Sequence, residues 1–160
     1  MKSEEGRGTT FWFTLPYVTG KPCETPCGEI PTVSVEKDKL TILIAEDNDS
    51  NYMLVKVLLK GYNLTRACTG REAVELAGRE KFDIILMDIR MPVMDGLEAT
   101  KAIRELERED AKKIPIIAMT ANAFEEDRKA CLDAGMDEHI GKPIDIPLLK
   151  SAIIKLLAKS

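Results

Sequence analysis

The chain is short of histidine: His139 is the only one in 160 residues. A histidine-based metal site or a Ser–His–Asp triad therefore has too little to work with. Cysteine is scarce as well, with only Cys23, Cys27, Cys68 and Cys131. Cys23 and Cys27, in "PCETPCG", are the only close pair. A disulfide or half of a zinc site is open to them. No second Cys or His pair completes a tetrahedral set, so free thiols in a reducing cytosol are the expectation. No apolar run approaches the ~20 residues that a membrane span needs. No basic-then-apolar leader opens the chain, so a cytoplasmic setting is expected, with any membrane anchor left to a parent chain. A net charge of −4 without a basic block argues against nucleic-acid binding.

What remains is an ordinary globular composition, 44% hydrophobic over a length that suits one domain with a real core. The pattern is uneven along the chain. Residues 20–39, "GKPCETPCGEIPTVSVEKDK", hold three of the eight prolines and no helical period, and they read as a linker. Before them, Phe11, Phe13 and Leu15 alternate with Thr10, Trp12 and Thr14, a period-two strand pattern. One strand cannot bury its apolar face alone. Residues 1–19 thus resemble the trailing edge of another domain.

From Leu40 the period becomes regular, and residues 40–160 read as five repeats of strand then helix. The strands are "LTILIA", "NLTRAC", "FDIILM", "IPIIAM" and "DEHIG". Asn48 or Asp49 caps a first helix with Leu54, Val57 and Leu58 on one face, stopped by Gly61. Thr69 and Glu72 have the spacing of a capping box. A third helix runs from Leu97 to about Glu109, with Ile103 and Leu106 inward. Asn122 and Glu125 cap the fourth, which ends at Gly135. Leu149, Ala152, Ile153, Leu156 and Leu157 trace the stripe of the last. Three strands are apolar throughout, as parallel strands covered on both faces are. The fold class is α/β, a doubly wound parallel sheet. Its working crevice lies beyond the carboxyl ends of the strands.

That rule gives meaning to a change of character at "ILMDIRMPVMDG". An apolar core strand ends on Asp88, and Pro92 and Gly96 then break the chain. The first strand likewise ends on Glu46 and Asp47, the fourth on Thr120, and the fifth is followed by Lys142. Singly, each has a plain explanation: acids at strand ends cap helices, Thr120 leads into a helix, Lys142 is a surface charge. Together they place three acids, a hydroxyl and an ammonium on one rim. Crowded carboxylates repel and resist desolvation. A divalent cation relieves this, and oxygen donors with open water positions suit Mg²⁺. Lys142 adds a point charge for phosphate. A carboxylate held beside Mg²⁺ and a lysine can take up a phosphoryl group as an acyl phosphate.

"LTILIAEDN", "DIILMDIRMPVMDG", "IPIIAMTANA" and "DEHIGKPI" closely resemble, in order and spacing, the receiver domain of bacterial two-component signalling. The resemblance implies a flavodoxin-like fold with strand order 2-1-3-4-5. It implies that Asp88 is the phosphoacceptor, that Asp47 binds Mg²⁺ directly and Glu46 mainly through water, and that the backbone carbonyl of Arg90 is a further ligand. Mn²⁺ is the expected substitute for Mg²⁺. Lys142 would pair with the phosphoryl group, Thr120 would shift to hydrogen-bond it, and the Lys142–Pro143 bond would be cis. His139 stands where relatives often carry an aromatic switch residue; a half-buried histidine at a strand end is the plainer alternative. Glu46 stands where many relatives have Asp.

"SEEGRGTTFWFTLP" resembles the end of the ATP-binding domain of a sensor histidine kinase. Strand, linker, receiver is the order of a hybrid histidine kinase. The expected donor is a phosphohistidine on a kinase core or a histidine phosphotransfer protein. No kinase catalytic core is visible here. This part would catalyse only its own phosphorylation and dephosphorylation, and would switch the face made by its fourth helix, fifth strand and fifth helix. Onward phosphotransfer is the expected output, since no DNA-binding domain follows Ser160. Two rivals are weaker. A receiver acting by contact alone would not need all five rim residues intact. A hydrolase would want a second acid where Arg90 stands, and a flavin carrier would not put Glu46 and Asp47 in its phosphate loop.

Overall fold

The computed structural model describes residues 2–4, 8–10, 40–121 and 125–158. It divides into two units, Met1–Thr32 and Val33–Ser160. In the first, β1 (Lys2–Glu4) pairs antiparallel with β2 (Gly8–Thr10), Lys2 opposite Thr10. The Phe11–Leu15 alternation, the linker, Cys23 and Cys27, and the Asn122 cap lie outside the described residues.

The second unit alternates strands and helices: β3 (Thr41–Ala45), α1 (Asp49–Leu58), β4 (Asn63–Ala67), α2 (Gly70–Arg79), β5 (Ile84–Asp88), α3 (Gly96–Glu105), a short α4 (Glu109–Lys113), β6 (Ile116–Thr120), α5 (Glu125–Asp133), β7 (Glu138–Gly141) and α6 (Ile146–Leu157). The five strands are parallel in the order β4-β3-β5-β6-β7. Counted within this unit, that is the expected 2-1-3-4-5 order. Every residue of β5 and β6 is buried, which is why their sequences are apolar without alternation.

Successive strand residues point to opposite faces. Leu43, Ile85, Met87, Ile116 and Ala118 join Ala73, Ile103 and Cys131 in one core. Ile42, Ile44, Ile84, Leu86, Ile117 and Met119 join Val55, Leu59, Leu149 and Ile153 in the other. Helices α2, α3 and α5 therefore cover one face, and α1 and α6 the other. Each fully buried Ile, Leu or Met contributes about 1.5–3 kcal/mol. The order reverses at β3: β4 lies on one side and β5 on the other. Beyond their carboxyl ends opens the crevice that such a reversal creates. No helix among the described residues is long and apolar enough to cross a membrane.

Several local expectations need correcting. The core side of α1 is Val55, continued by Leu59, whereas Leu54 and Val57 are 46% and 67% exposed. Nearly every position from Tyr52 to Leu59 except Lys56 is apolar, so two stripes fit the helical period and only packing chooses between them. The third helix stops at Glu105, and α4 follows after a break. Thr69 does cap α2 by accepting the Glu72 amide, but the Glu72 carboxylate accepts from the Cys68 amide, one residue short of a closed box. The complete capping box is Asp95 with Glu98, at the start of α3.

Candidate functional site

Backbone pairing brings the rim residues together before any side chain acts. The Glu46 amide donates to the Ala67 carbonyl at 3.0 Å, extending the β3–β4 pairing by one residue. Asn48 then caps α1, its Oδ1 accepting the Ser50 and Asn51 amides at 2.9 and 3.2 Å. Asp88 is the last residue of β5 and lies in register with Met119, next to Thr120 at the end of β6. The Lys142 amide donates to the Thr120 carbonyl at 2.7 Å, tying the segment after β7 to the same edge. Lys142–Pro143 is cis, as the resemblance implies.

Glu46 is fully buried, and both of its oxygens are engaged. Oε1 accepts from Asn51 Nδ2 at 2.9 Å and from the Asn48 amide at 3.3 Å; Oε2 accepts from Lys142 Nζ at 2.6 Å. Asp88 is buried, with Oδ2 accepting from Lys142 Nζ at 2.8 Å and Oδ1 from the Arg90 amide at 3.3 Å. One ammonium thus bridges two buried carboxylates. Asp47 is exposed, and the ligand oxygens of Glu46, Asp47 and Asp88 all lie within 4.8 Å of one another. Burial lifts the Asp88 pKa above the ordinary carboxylate range, against the pull of Lys142. Burial opposes the charge on Lys142 too, but its hydrogen bonds to Asp88 and Glu46 prevail and its pKa is raised. The ammonium stays charged while the acids crowd.

The loop after Asp88 is held from several sides. The Ile89 amide donates to the Met119 carbonyl at 3.2 Å and the Gly96 amide to the Ile89 carbonyl at 2.9 Å. The Gly70 amide reaches the Met94 carbonyl at 3.2 Å. A Cβ at Gly96 would run into the backbone carbonyl oxygen of Asp88, and one at Gly70 into that of Met94. The loop apex, Val93, has φ +71° and is 80% exposed, an unusual conformation for a β-branched residue.

Of the expected site residues, Glu46, Asp47, Asp88 and Lys142 converge, and Thr120 is buried beside them. Arg90 is exposed, and its amide contacts Asp88. His139 stands apart from the acid cluster, half-buried on β7 with Nδ1 3.7 Å from Glu138 Oε1. Sequence reasoning missed Asn51, Arg66 and the close packing at Gly96. Asn51 sits on the turn of α1 that follows the acids, a position that its number alone could have flagged. Arg66 had no such signal, because its partners belong to a distant loop.

The donor set is all oxygen, without His or Cys, which fits a hard cation such as Mg²⁺. Residues 42–154 match the model of the response regulator receiver domain. A similar curated protein is hybrid signal transduction histidine kinase I of Dictyostelium discoideum, 42% identical over 125 residues, 74% of this chain and 7% of that protein. Other relatives align over as much as 98% of this chain. The chain spans 7 to 16% of the length of the first relatives it matches. Among solved structures, the receiver domain of sensor histidine kinase PA1611 from Pseudomonas aeruginosa, with magnesium coordinated in its active-site cleft, is 39% identical, has a TM-score of 0.70, and covers 75% of this chain and 98% of that one. The receiver domain of Ssk1 from Saccharomyces cerevisiae, crystallised with the histidine phosphotransfer protein Ypd1, is 28% identical with a TM-score of 0.70, covering 76% of this chain and 90% of the matched one. The chain therefore belongs to the response regulator receiver family and carries a receiver domain of two-component phosphorelay signalling.

Proposed function

We propose that Asp88 accepts a phosphoryl group from a phosphohistidine, held on a kinase domain or a histidine phosphotransfer protein. The observation that carries this is the shared pocket: a buried carboxylate at the carboxyl end of β5, bonded to Lys142 and within reach of two further acids. Asp47, Asp88 and the Arg90 carbonyl would hold Mg²⁺, with Glu46 contributing through water. The ion, or Mn²⁺ on the same donors, supplies positive charge beside the phosphoryl oxygens. An Asp88 oxygen forms the new bond to phosphorus as the phosphorus–nitrogen bond to the donor imidazole breaks, and the electron pair of that bond leaves with the imidazole. Lys142 Nζ, shared between Asp88 and Glu46 at rest, transfers its hydrogen bond to a phosphoryl oxygen. The Thr120 hydroxyl turns toward another. Because the Thr120 carbonyl already holds the Lys142 amide, movement at β6 reaches the segment after β7. The face of α5, β7 and α6 then changes population between two states, with His139 as the ring that follows Thr120.

The full-length protein in this proposal is a cytoplasmic-facing hybrid sensor histidine kinase. Residues 1–19 end its ATP-binding domain, and residues 20–39 link that domain to the receiver. Alignment of relatives over nearly the whole chain supports that order. Labelling with a small acyl phosphate in Mg²⁺ tests the core of the proposal. The parent chain is expected to take up hydroxylamine-labile phosphate and Asp88→Asn to take up none. Undiminished labelling of the variant would refute the assignment.

A further inference from the structure

Arg66 stands on β4, opposite Ile44 of β3, and its guanidinium reaches over the end of that neighbour. Nε donates to the Glu46 carbonyl at 3.2 Å and Nη2 to the Asp47 carbonyl at 3.1 Å. Nη1 meets Asp49 Oδ1 at 2.6 Å. Its central carbon lies over the Tyr52 ring, 4.6 Å from the ring centre, and Tyr52 in turn packs on the core beneath α1. The arginine touches no metal-ligating oxygen. It grips the backbone of both acids that end β3 and rests over a ring of the following helix.

The consequence follows from peptide geometry. In a trans peptide the carbonyl and the next amide point in opposite directions. Holding the Asp47 carbonyl toward Arg66 turns the Asn48 amide the other way, into the pocket, where it donates to Glu46 Oε1 at 3.3 Å. Glu46 Oε2 meets Lys142, and Lys142 meets Asp88. A continuous set of contacts thus joins Arg66 to the end of β5. We propose that Arg66 is a positioning residue for Mg²⁺ binding: its fork sets the peptide planes that aim Glu46 and Asp47 at the cation. The proposal rests on the metal-binding reading above and names a residue that reading does not need.

Charge and geometry make opposite demands here, which gives the test its edge. If Arg66 acted only as a nearby positive charge, removing it would tighten binding of a dication. If it only held the fold together, stability would fall and Mg²⁺ affinity would stay. If it aims the ligands, affinity falls, by about 10-fold, the usual scale for losing a partner that orients a metal ligand. NMR titration of the chain with MgCl₂, followed at the Asn48 and Arg90 amides, reads this directly. Arg66→Met is expected to weaken Mg²⁺ binding by about 10-fold. Arg66→Lys keeps the charge but cannot span both carbonyls, so it is expected to weaken binding too, and it stands in should the Met variant fail to fold. Asp49→Ala leaves both carbonyl contacts and should alter affinity less than about twofold. Unchanged or tighter binding in Arg66→Met, or full affinity in Arg66→Lys, overturns the positioning role alone. A parent chain that binds no Mg²⁺ overturns the metal-binding reading with it.

Discussion

At the amino ends of the strands, Asp83 accepts the Thr41 amide at 2.7 Å and Asp137 accepts the Ile116 amide at 2.8 Å. Each returns the favour with its own amide, donated at 2.9 Å to the carbonyl of the same residue. At the carboxyl ends, Glu46 and Asp88 instead converge on one ammonium. The amino-edge acids each take the place of a missing strand partner. The carboxyl-edge acids are buried and crowded, so their charge must be answered by Lys142 or a cation. Each end also has its arginine. Arg104 donates to the carbonyls of Gly135, Lys112 and Ile114 at 3.0, 2.9 and 2.8 Å and pairs with Asp137 at 2.9 Å. Arg66 makes a similar grip on the carbonyls of Glu46 and Asp47. The contrast teaches that one end closes the fold and the other holds a charge imbalance in reserve.

The largest expected effect lies at the amino end. Arg104→Ala leaves three carbonyls without this donor and should lower unfolding free energy by about 3 kcal/mol, read from urea denaturation. Mg²⁺ affinity should not change; a parallel loss would erase the separation between the two ends. Gly96→Ala comes next. Its Cβ presses on the Asp88 carbonyl, so it should cost about 2 kcal/mol and also slow phosphoryl uptake from an acyl phosphate. A stability loss with normal uptake would show that the loop absorbs the strain without moving Asp88. The smallest effect is a gain. Burial raises the folded-state pKa of Asp88, so its contribution to stability is fully present below the unfolded carboxyl range and is lost as pH rises through the raised pKa. In EDTA, Asp88→Asn should therefore gain in thermal midpoint over the parent as pH rises above the unfolded carboxyl range of about 4. Added Mg²⁺ should reverse the order by stabilising the parent. A variant that loses ground on going to neutral pH would mean that the pairing with Lys142 outweighs the crowding.

The five strands, their carboxyl-end acids and Lys142 were legible because burial on both faces and delivery to a rim leave their mark within a few consecutive residues. The face of α1 was not, since its residues are apolar nearly all round and the choice of Val55 and Leu59 belongs to the sheet beneath. The break after Glu105 was equally hidden. Arg108 donates to the carbonyls of Gly78 and Glu80, and Arg104 to those of Lys112 and Ile114, contacts that local periodicity does not encode. The full capping box at Asp95 is written in "DGLE", two residues ahead of the apolar Leu97 from which periodicity alone starts the helix. Arg66 shows the general limit: a charged residue in a weak strand looks like solvent-facing decoration until the loop it grips is seen.

Gly96 carries a lesson for anyone who varies this chain. Every other amino acid begins with a Cβ, and at this position that first atom already meets the Asp88 carbonyl. No conservative replacement exists there, nor at Gly70, where the Met94 carbonyl stands in the way. A library meant to retune the lifetime of the modified state should leave both glycines alone and diversify Arg90 and Val93, whose exposed side chains give the loop somewhere to change.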